Sequence, residues 1–307
     1  MNDALIIGAG PAGVSCAIWL KQLGFNPVLV DKSPTCGGLQ LSNPYTNTWI
    51  ATSADVYGPD VARAMQDNIT RHKVQTRLQK EALLVTVENE SLTVMISGGE
   101  SISARYLVLA SGVTPKDGGL GGRLGIIVGP GPAVAKSDFT NTRVAILGGG
   151  DSAFENHGFV MERGAISATI FARTLRARVE MLDRVAPQDV VVGDYTVDKD
   201  AKRVNGQSFD QILVLYGYGA APQSLLGLDI AMRTDGFVWT NEECVTSLER
   251  VYAVGELARR GHPCCVTAMA DGVVAAKSIQ RRLESTKLSK YAGIARRAMS
   301  FGAKVLL

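Results

Sequence analysis

The sequence predicts an α/β fold made of two units that each contain a parallel sheet. A glycine-rich loop follows a short apolar strand at residues 4–7, and a similar loop follows an apolar strand at 144–147. The length of 307 residues suits two domains. With 46% hydrophobic and 20% charged residues, the composition excludes a disordered chain. Because only 6% of the residues are aromatic, we expect no nucleic-acid partner.

The first loop has the pattern G-x-G-x-x-G over residues 8–13, and a helix should follow it to about Leu23. Gly8 permits the tight turn, Gly10 lets the backbone approach a pyrophosphate, and Gly13 lets helix and strand pack closely. The helix N-terminus offers free N–H groups to phosphates. A second strand ends at Asp31, whose carboxylate can accept hydrogen bonds from ribose hydroxyls. This Rossmann-like unit therefore predicts a bound dinucleotide.

The second loop, Gly148 to Ala153, repeats the pattern, but no acid ends its second strand at 168–171. That strand runs instead into a segment with three arginines, Arg173, Arg176 and Arg178. Arginines suit a 2′-phosphate, so NADPH fits this site better than NADH. The alternative is a degenerate fold that binds nothing. Two dinucleotide folds leave little room for a substrate domain, and they suit hydride transfer between two dinucleotides, one of them FAD.

Charge and cysteine content bear on partners and location. The net charge is +3, while residues 281–307 hold seven basic residues and one acid, so this stretch is +6 and the remainder −3. The basic stretch at 281–307 predicts either an acidic partner or a solvated helix face. The five cysteines form no Cys-x-x-Cys and no zinc spacing, so we expect no metal. An odd cysteine count, no visible signal peptide and no bilayer-spanning run predict a cytoplasmic protein.

Several motifs together resemble one family over nearly the whole chain, to about residue 285. Residues 36–41 resemble a G-G-Q-L element with an extra leucine, and 107–112 an A-T-G crossover. Residues 148–155 resemble a pyridine-nucleotide loop, and 254–256 with 266–272 resemble a closing flavin element. These motifs, with the first glycine loop, resemble those of the low-molecular-weight thioredoxin reductases.

The resemblance implies two Rossmann-like three-layer nucleotide-binding domains, the second inserted in the first. The FAD domain would comprise 1–112 and 237–307, with a basic tail at 286–307, and the NAD(P) domain 113–236. A homodimer and a domain rotation are also implied. The implied FAD contacts are Gly8, Gly10, Pro11, Ala12, Gly13, Asp31, Lys32, Gly38, Gln40, Asn47, Ala82, Ala110, Ser111, Gly112, Gly255, Glu256, Cys265, Val266 and Thr267. The implied NADPH contacts are Gly148, Gly150, Asp151, Ser152, Arg173 and Arg178.

Departures from the family pattern decide the predicted function. Gly131 and Val134 stand where the family has its redox Cys-x-x-Cys, and electrons need a dithiol relay to reach a protein disulfide. Only two of four arginine-signature positions are kept, and Glu256 replaces an aspartate. Cys264 and Cys265 are candidate catalytic thiols or, alternatively, small packed residues. We also expect Trp19 and Trp239 in or near the core.

We therefore predict an FAD-dependent oxidoreductase without a dithiol relay, which moves electrons between NADPH and a non-disulfide acceptor. The acceptor could be a ferredoxin-like protein, a quinone-like molecule or oxygen. Ferredoxin–NADP reductases of thioredoxin-reductase type also lack the Cys-x-x-Cys and place a C-terminal aromatic over the flavin, a part open to Tyr291 or Phe301. An acidic electron-transfer partner would suit the basic tail. The alternatives are an NADPH-independent flavoprotein that exchanges electrons with a partner or thiol, and a non-catalytic FAD-binding interaction protein.

Overall fold

The structure, a computed structural model, describes the backbone of residues 1–43, 45–48, 50–88, 90–220 and 225–302, and side chains in these ranges except those of Pro132 and 286–302. The chain forms two compact units. The first contains Met1–Leu41, Thr48–Gly112 and Ala220–Leu307, and the second contains Ser42–Asn47 and Val113–Gly219. The proposed part of Tyr291 and Phe301 over the flavin lies outside the described side chains.

The first unit is built on one mixed sheet of seven strands. Its elements are β1 (Asn2–Ile7), α1 (Pro11–Gln22), β2 (Pro27–Asp31), β4 (Val56–Tyr57), α2 (Gly58–Arg71), β5 (Gln75–Leu78), β6 (Ala82–Val87), β7 (Leu92–Ile96), β8 (Ser101–Leu109), β19 (Val251–Ala253) and α6 (Cys265–Gly302); β3 (Thr46–Asn47) falls in the second unit. The strand order is β5-β2-β1-β8-β7-β6, and β19 pairs with β8 in parallel. Strands β1, β2, β5 and β8 are parallel, as the first glycine loop predicts.

Each face of this sheet is covered differently. The helices α1, α2 and α6 cover one face, where Ile6, Leu29 and Val108 are fully buried. On the other face, apolar residues of the sheet's strands, including β6 and β7, pack with the segment 225–230. Four successive residues of β1, from Ala4 to Ile7, are buried, as expected for a parallel strand covered on both sides.

The second unit has a five-stranded parallel sheet with the order β10-β17-β11-β12-β13. Its elements are β9 (Thr114–Pro115), β10 (Ile126–Val128), α3 (Pro132–Lys136), β11 (Arg143–Leu147), α4 (Asp151–Glu162), β12 (Ser167–Ala172), α5 (Val179–Leu182), β13 (Val190–Val192), β14 (Val197–Asp198), β15 (Arg203–Val204), β16 (Gln207–Ser208), β17 (Gln211–Val214) and β18 (Tyr218–Gly219). Residues of α3, α4 and α5 cover one face. Val204 and Phe209, in and just after the small antiparallel sheet β14-β15-β16, cover the other.

The helices after both glycine loops end where their sequences predict. After α1, the Gly24 N–H donates to Lys21 and the Phe25 N–H donates to Leu20. Gly24 has a positive φ of 85°, which completes a Schellman motif. Gly164 ends α4 in the same way. The two predicted strand–loop–helix units are therefore confirmed.

The compact units of the structure divide the chain at a different residue from the domain boundary that the sequence predicts. The sequence predicts residues 113–236 as the inserted domain, whereas the second compact unit ends at Gly219. Leu226, Leu228 and Ile230 are buried in the core of the first unit. The Val85 N–H of β6 also donates to the Leu226 carbonyl at 3.1 Å. Burial of these apolar side chains against the first sheet fixes the segment to that unit.

Candidate functional site

The first glycine loop is formed by close backbone contacts. Gly8 has a φ of +110°, and a Cβ atom there would lie 2.3 Å from the carbonyl oxygen of Ala110. A Cβ atom at Gly13 would lie 1.9 Å from the carbonyl oxygen of Gly8. These positions therefore admit only glycine, and they bring together the loop and the crossover at Ala110.

The N-terminus of α1 is open to an anion. Its N-cap is Gly10, Pro11 occupies the first turn, and no side chain caps its N–H groups. The first turn also holds no acid. Its N–H groups, beginning near Ala12 and Gly13, are therefore donors without local competition, which is the donor set that a pyrophosphate requires.

A second glycine segment lies directly against this loop. The Gly37 N–H donates to the Ala9 carbonyl at 2.7 Å. A Cβ atom at Gly38, where φ is +55°, would lie 2.9 Å from the Cα of Gly10. The structure thus brings together the two glycine segments that the sequence assigns to one dinucleotide.

Asp31 has a role in the loop itself. Its Oδ2 accepts the Ala9 N–H at 2.6 Å, and its Oδ1 accepts the Ser33 N–H at 2.7 Å. The motif predicts only a ribose contact for this residue. Each carboxylate oxygen can accept two hydrogen bonds, so both roles are compatible.

The closing element completes the surroundings of the loop. A Cβ atom at Gly255, where φ is +68°, would lie 3.0 Å from the Cβ of Ala12. The Gly255 N–H donates to Asp271 Oδ2 at 3.1 Å, and Arg260 contacts the other oxygen of Asp271 at 3.0 Å. Burial raises the pKa of Glu256, and Arg259 opposes that shift. Burial also raises the pKa of Asp271, against the opposing charge of Arg260.

The two adjacent cysteines lie at the start of α6. The Cys264 Sγ accepts the Thr267 N–H at 3.5 Å and contacts Thr267 Oγ1 at 3.4 Å. Thr267 Oγ1 also donates to the His262 carbonyl at 2.6 Å. Both cysteines are half-buried. Burial is the main cause that raises the pKa of Cys265 to about 11, and the neighbouring Cys264 and Glu256 contribute to that rise.

The remaining predicted FAD residues are more scattered. Ala82 is the first residue of β6, and Val266 is exposed in the first turn of α6. Lys32 and Ser111 are exposed, while Gln40 and Gly112 are half-buried. Asn47 lies in the second unit, so its assignment as a flavin contact stays a prediction.

The second glycine loop is covered by the arginine segment. A Cβ atom at Gly148 would lie 2.4 Å from the Leu215 carbonyl oxygen, and one at Gly149 would lie 2.0 Å from that of Thr174. The Arg176 N–H donates to the Gly149 carbonyl at 2.6 Å. The loop therefore packs against residues 174–176, an association that the glycine spacing does not predict.

The N-terminus of α4 carries an ion pair. Gly150 is its N-cap without a side-chain cap, and Asp151 begins its first turn, followed by Ser152. Asp151 accepts both the backbone N–H of Arg178 at 2.8 Å and its Nε at 2.7 Å. Arg178 thus neutralises an acid beside the helix N-terminus, whereas Arg173 and Arg176 are exposed after β12. The assignment of Arg178 as an NADPH contact stays a prediction, and its guanidinium also pairs with Asp151.

Gly131 and Val134 are the two positions that the sequence resemblance aligns with the family's Cys-x-x-Cys. Gly131, with a φ of +115°, is the N-cap of α3. Val134 is fully buried in the core of the second unit. Every cysteine of the chain belongs to the first unit.

Sequence reasoning missed Asp271 and Arg260. Asp271 lies inside the closing motif, so its position offered a signal. Arg260 lies in the loop between the two halves of that motif, and no spacing rule singles it out.

Comparison with known proteins gives the family. Residues 2–272 match the pyridine nucleotide-disulphide oxidoreductase family. The thioredoxin reductase of Listeria monocytogenes is 25% identical, with 94% of this chain and 95% of that protein covered. The fold is similar to Lactococcus lactis thioredoxin reductase, with a TM-score of 0.76, 20% identity, and 92% and 98% of the two chains covered. It is also similar to the bacillithiol disulfide reductase of Bacillus cereus, with a TM-score of 0.75, 17% identity, and coverage of 92% and 99%.

These matches agree with the two Rossmann-like units. Thioredoxin-reductase-like members of the family use FAD and NADPH. Across the described residues, no helix is long and apolar enough to cross a membrane. The chain belongs to the pyridine nucleotide-disulphide oxidoreductase family, as an FAD-dependent oxidoreductase of the thioredoxin-reductase-like class.

Proposed function

We propose that this protein moves electrons between NADPH and a non-disulfide acceptor through FAD. The observation that carries the proposal is the pair Gly131 and Val134 at the positions of the family's redox cysteines. Val134 is a buried core residue, and the second unit contains no cysteine. A disulfide acceptor reduced by the route of the thioredoxin reductases would need a thiol relay there.

The first unit supplies the residues that would hold FAD. The uncapped N-terminus of α1 follows a loop whose tight turn requires glycine at positions 8 and 13, and Gly10 is its N-cap. Gly38 and Gly255 close around the same loop. When bound, FAD supplies two-electron transfer between a hydride donor and an acceptor. The protein's part is to bind, orient and shield the cofactor.

The second unit supplies the residues that would hold NADPH. The uncapped N-terminus of α4 favours a pyrophosphate, and Arg178 offsets the like charge of Asp151 there. Arg173 and Arg176 are exposed in the segment after β12, where the sequence predicts recognition of a 2′-phosphate. We infer that these two arginines carry most of the preference for NADPH over NADH.

The test is an anaerobic titration of the purified protein with NADPH and, separately, with NADH, followed by the visible absorbance of the flavin. Rapid bleaching by NADPH supports the proposal. If neither nucleotide bleaches the flavin while dithionite does, the proposal fails. Arg173→Met should weaken the bleaching of the flavin by NADPH and leave its bleaching by NADH unchanged. Arg105→Met, on β8, is the charge-matched control.

A thiol route is the second candidate, favoured by one observation. Cys264 is half-buried and its Sγ accepts the Thr267 N–H at the start of α6. Two features oppose it. The raised pKa of Cys265 keeps that thiol protonated. Adjacent Cα atoms are about 3.8 Å apart, below the usual disulfide range of roughly 4.4–6.8 Å. Replacing both cysteines by serine stops turnover only if the thiols carry electrons.

Three further assignments remain proposals. A homodimer would match the thioredoxin reductases, which are typically homodimers, and sedimentation tests it. An acidic electron-transfer protein would dock on the basic tail, and removal of residues 286–307 would then slow only the partner-dependent reaction. A cytoplasmic location would suit five free thiols.

A further inference from the structure

We propose that Arg260 is a positioning residue for FAD. Through Asp271, Arg260 holds residues 254–256, the closing loop, in the conformation that binds FAD. This inference rests on the FAD binding proposed above. The carrying observation is a chain of contacts from Arg260 to Asp271 and from Asp271 to the Gly255 backbone.

Arg260 is held by three groups. Its Nη1 lies 3.0 Å from Asp271 Oδ1 and 2.9 Å from Cys244 Sγ, and its Nη2 donates to the Glu242 carbonyl at 2.6 Å. Only 26% of its side chain is exposed. An arginine with this many partners presents a fixed guanidinium plane, because its rotamers are restricted by every contact.

Asp271 transmits that position to the loop. Its side chain is 15% exposed, and its Oδ2 accepts the Gly255 N–H at 3.1 Å. Gly255 has a φ of +68° and lies against Ala12 of the first glycine loop. The carboxylate of Asp271, which Arg260 neutralises, therefore holds the closing loop beside the first glycine loop.

Loss of Arg260 would leave Asp271 as a largely buried charge without its cation. Such a charge is costly, so the loop would move to hydrate it or the carboxyl would take up a proton. Either change weakens the acceptor that faces the Gly255 N–H. The expected consequence is weaker FAD binding rather than a general loss of folding.

The experiment measures the FAD dissociation constant of the deflavinated full-length protein, together with the melting temperature of the same apoprotein. Arg260→Met should weaken FAD binding by at least about tenfold, as expected for a buried charge left unpaired. Arg260→Lys keeps one donor for Asp271 and should stay within about threefold of wild type, since a charged hydrogen bond remains. If Arg260→Met does not fold, the FAD dissociation constant of Arg260→Lys can still be measured.

The matched control is Arg282→Met, which removes a part-buried arginine from another cluster on α6. Arg282 contacts Glu243 and Tyr252, which both lie outside residues 254–272. It should lower the melting temperature of the apoprotein and leave the FAD dissociation constant unchanged.

The double variant Arg260→Met/Asp271→Asn separates positioning from stability. Asparagine keeps an oxygen for the Gly255 N–H and removes the stranded charge, so FAD affinity should recover toward wild type. Equal FAD affinity of Arg260→Met and wild type overturns the inference, as does a double variant no better than Arg260→Met. Failure of the wild-type protein to bind FAD would instead refute the proposed function.

Discussion

Asp151 and Arg178 are joined by two contacts at the entrance of the second unit. The carboxylate accepts the Arg178 backbone N–H at 2.8 Å through one oxygen and its Nε at 2.7 Å through the other. The pair ties the end of the arginine segment to the first turn of α4. The carboxylate of Asp151 would repel a phosphate at the N-terminus of α4, and the charge of Arg178 reduces that repulsion.

Asp151→Asn should increase the preference for NADPH. The amide releases the Arg178 guanidinium, which becomes available to a 2′-phosphate. Because exposed ion pairs contribute about 0.2–1 kcal/mol, we expect NADPH to bind roughly 1.4- to fivefold more tightly. Titration calorimetry with NADPH and NADH measures the ratio. Asp183→Asn, which removes an exposed acid just after α5, is the control, and an equal gain for both nucleotides would contradict the interpretation.

Two glycine-to-alanine changes should have opposite signs. Gly13→Ala places a Cβ atom 1.9 Å from the Gly8 carbonyl oxygen, so the loop must distort. We expect a loss of about 1–3 kcal/mol of stability and loss of FAD retention. Gly158 lies within α4 with no heavy atom within 4 Å of the new Cβ atom. Gly158→Ala should therefore add about 0.5–1 kcal/mol, because the helix loses a flexible residue. Urea unfolding measures both, and destabilisation by Gly158→Ala would argue against this packing.

Glu243 should make stability depend on acid pH. Hydrogen bonds from Ser278 and Arg281, with further help from Arg282, lower its pKa from 4.5 to about 2. The folded protein therefore binds fewer protons than the unfolded chain. Its contribution is present above pH 4.5 and is lost as the pH falls toward 2. Because the side chain is 37% exposed, we expect only about 1 kcal/mol. Glu243→Gln should flatten this part of a urea-midpoint profile, and an unchanged slope would exclude the mechanism.

His157 should act in a different pH range. Its Nε2 is buried, has no hydrogen-bond partner in the part of the chain that the structure describes, and lies 3.7 Å from Asp189 Oδ2. Burial lowers its pKa below 6.5, against the opposing pull of Asp189. The unfolded chain then takes up a proton first, so stability falls as the pH drops below 6.5. His157→Gln should remove that fall between about pH 8 and about pH 5.5, as chemical unfolding can show. A variant with the wild-type slope would assign the titration to another group.

The elements around the glycine loops could be predicted because their spacing encodes backbone geometry. Gly8 and Gly13 admit no Cβ atom, and Gly24 ends α1 with a positive φ, so sequence and conformation correspond directly. The partners of flexible side chains could not be predicted in this way. The contact of Arg178 with Asp151 spans 27 residues, and that of Arg260 with Asp271 depends on how a loop folds over α6.

Burial was the least predictable property. Leu226, Leu228 and Ile230 alternate with Gly227 and Asp229 but form no strand, yet they pack on the first sheet, and the second compact unit ends before them at Gly219. Trp19 was expected in or near the core, but 42% of its surface is exposed on α1. A tryptophan side chain can cover a surface with one part of its ring system and meet water with the other, so its residue type alone does not place it.

The short excursion Ser42–Asn47 means that the nucleotide-binding cassette is not encoded by one continuous stretch of the gene. Tyr45 donates to the fully buried Asn156 at 3.0 Å, and its ring meets Phe159 edge-on at 5.9 Å. A chimaera that transplants only residues 113–219 into a related scaffold would strand the Asn156 amide oxygen, at a cost of about 1–3 kcal/mol. Successful domain exchange between related proteins would require Tyr45 to be transferred together with α4, the helix that it contacts.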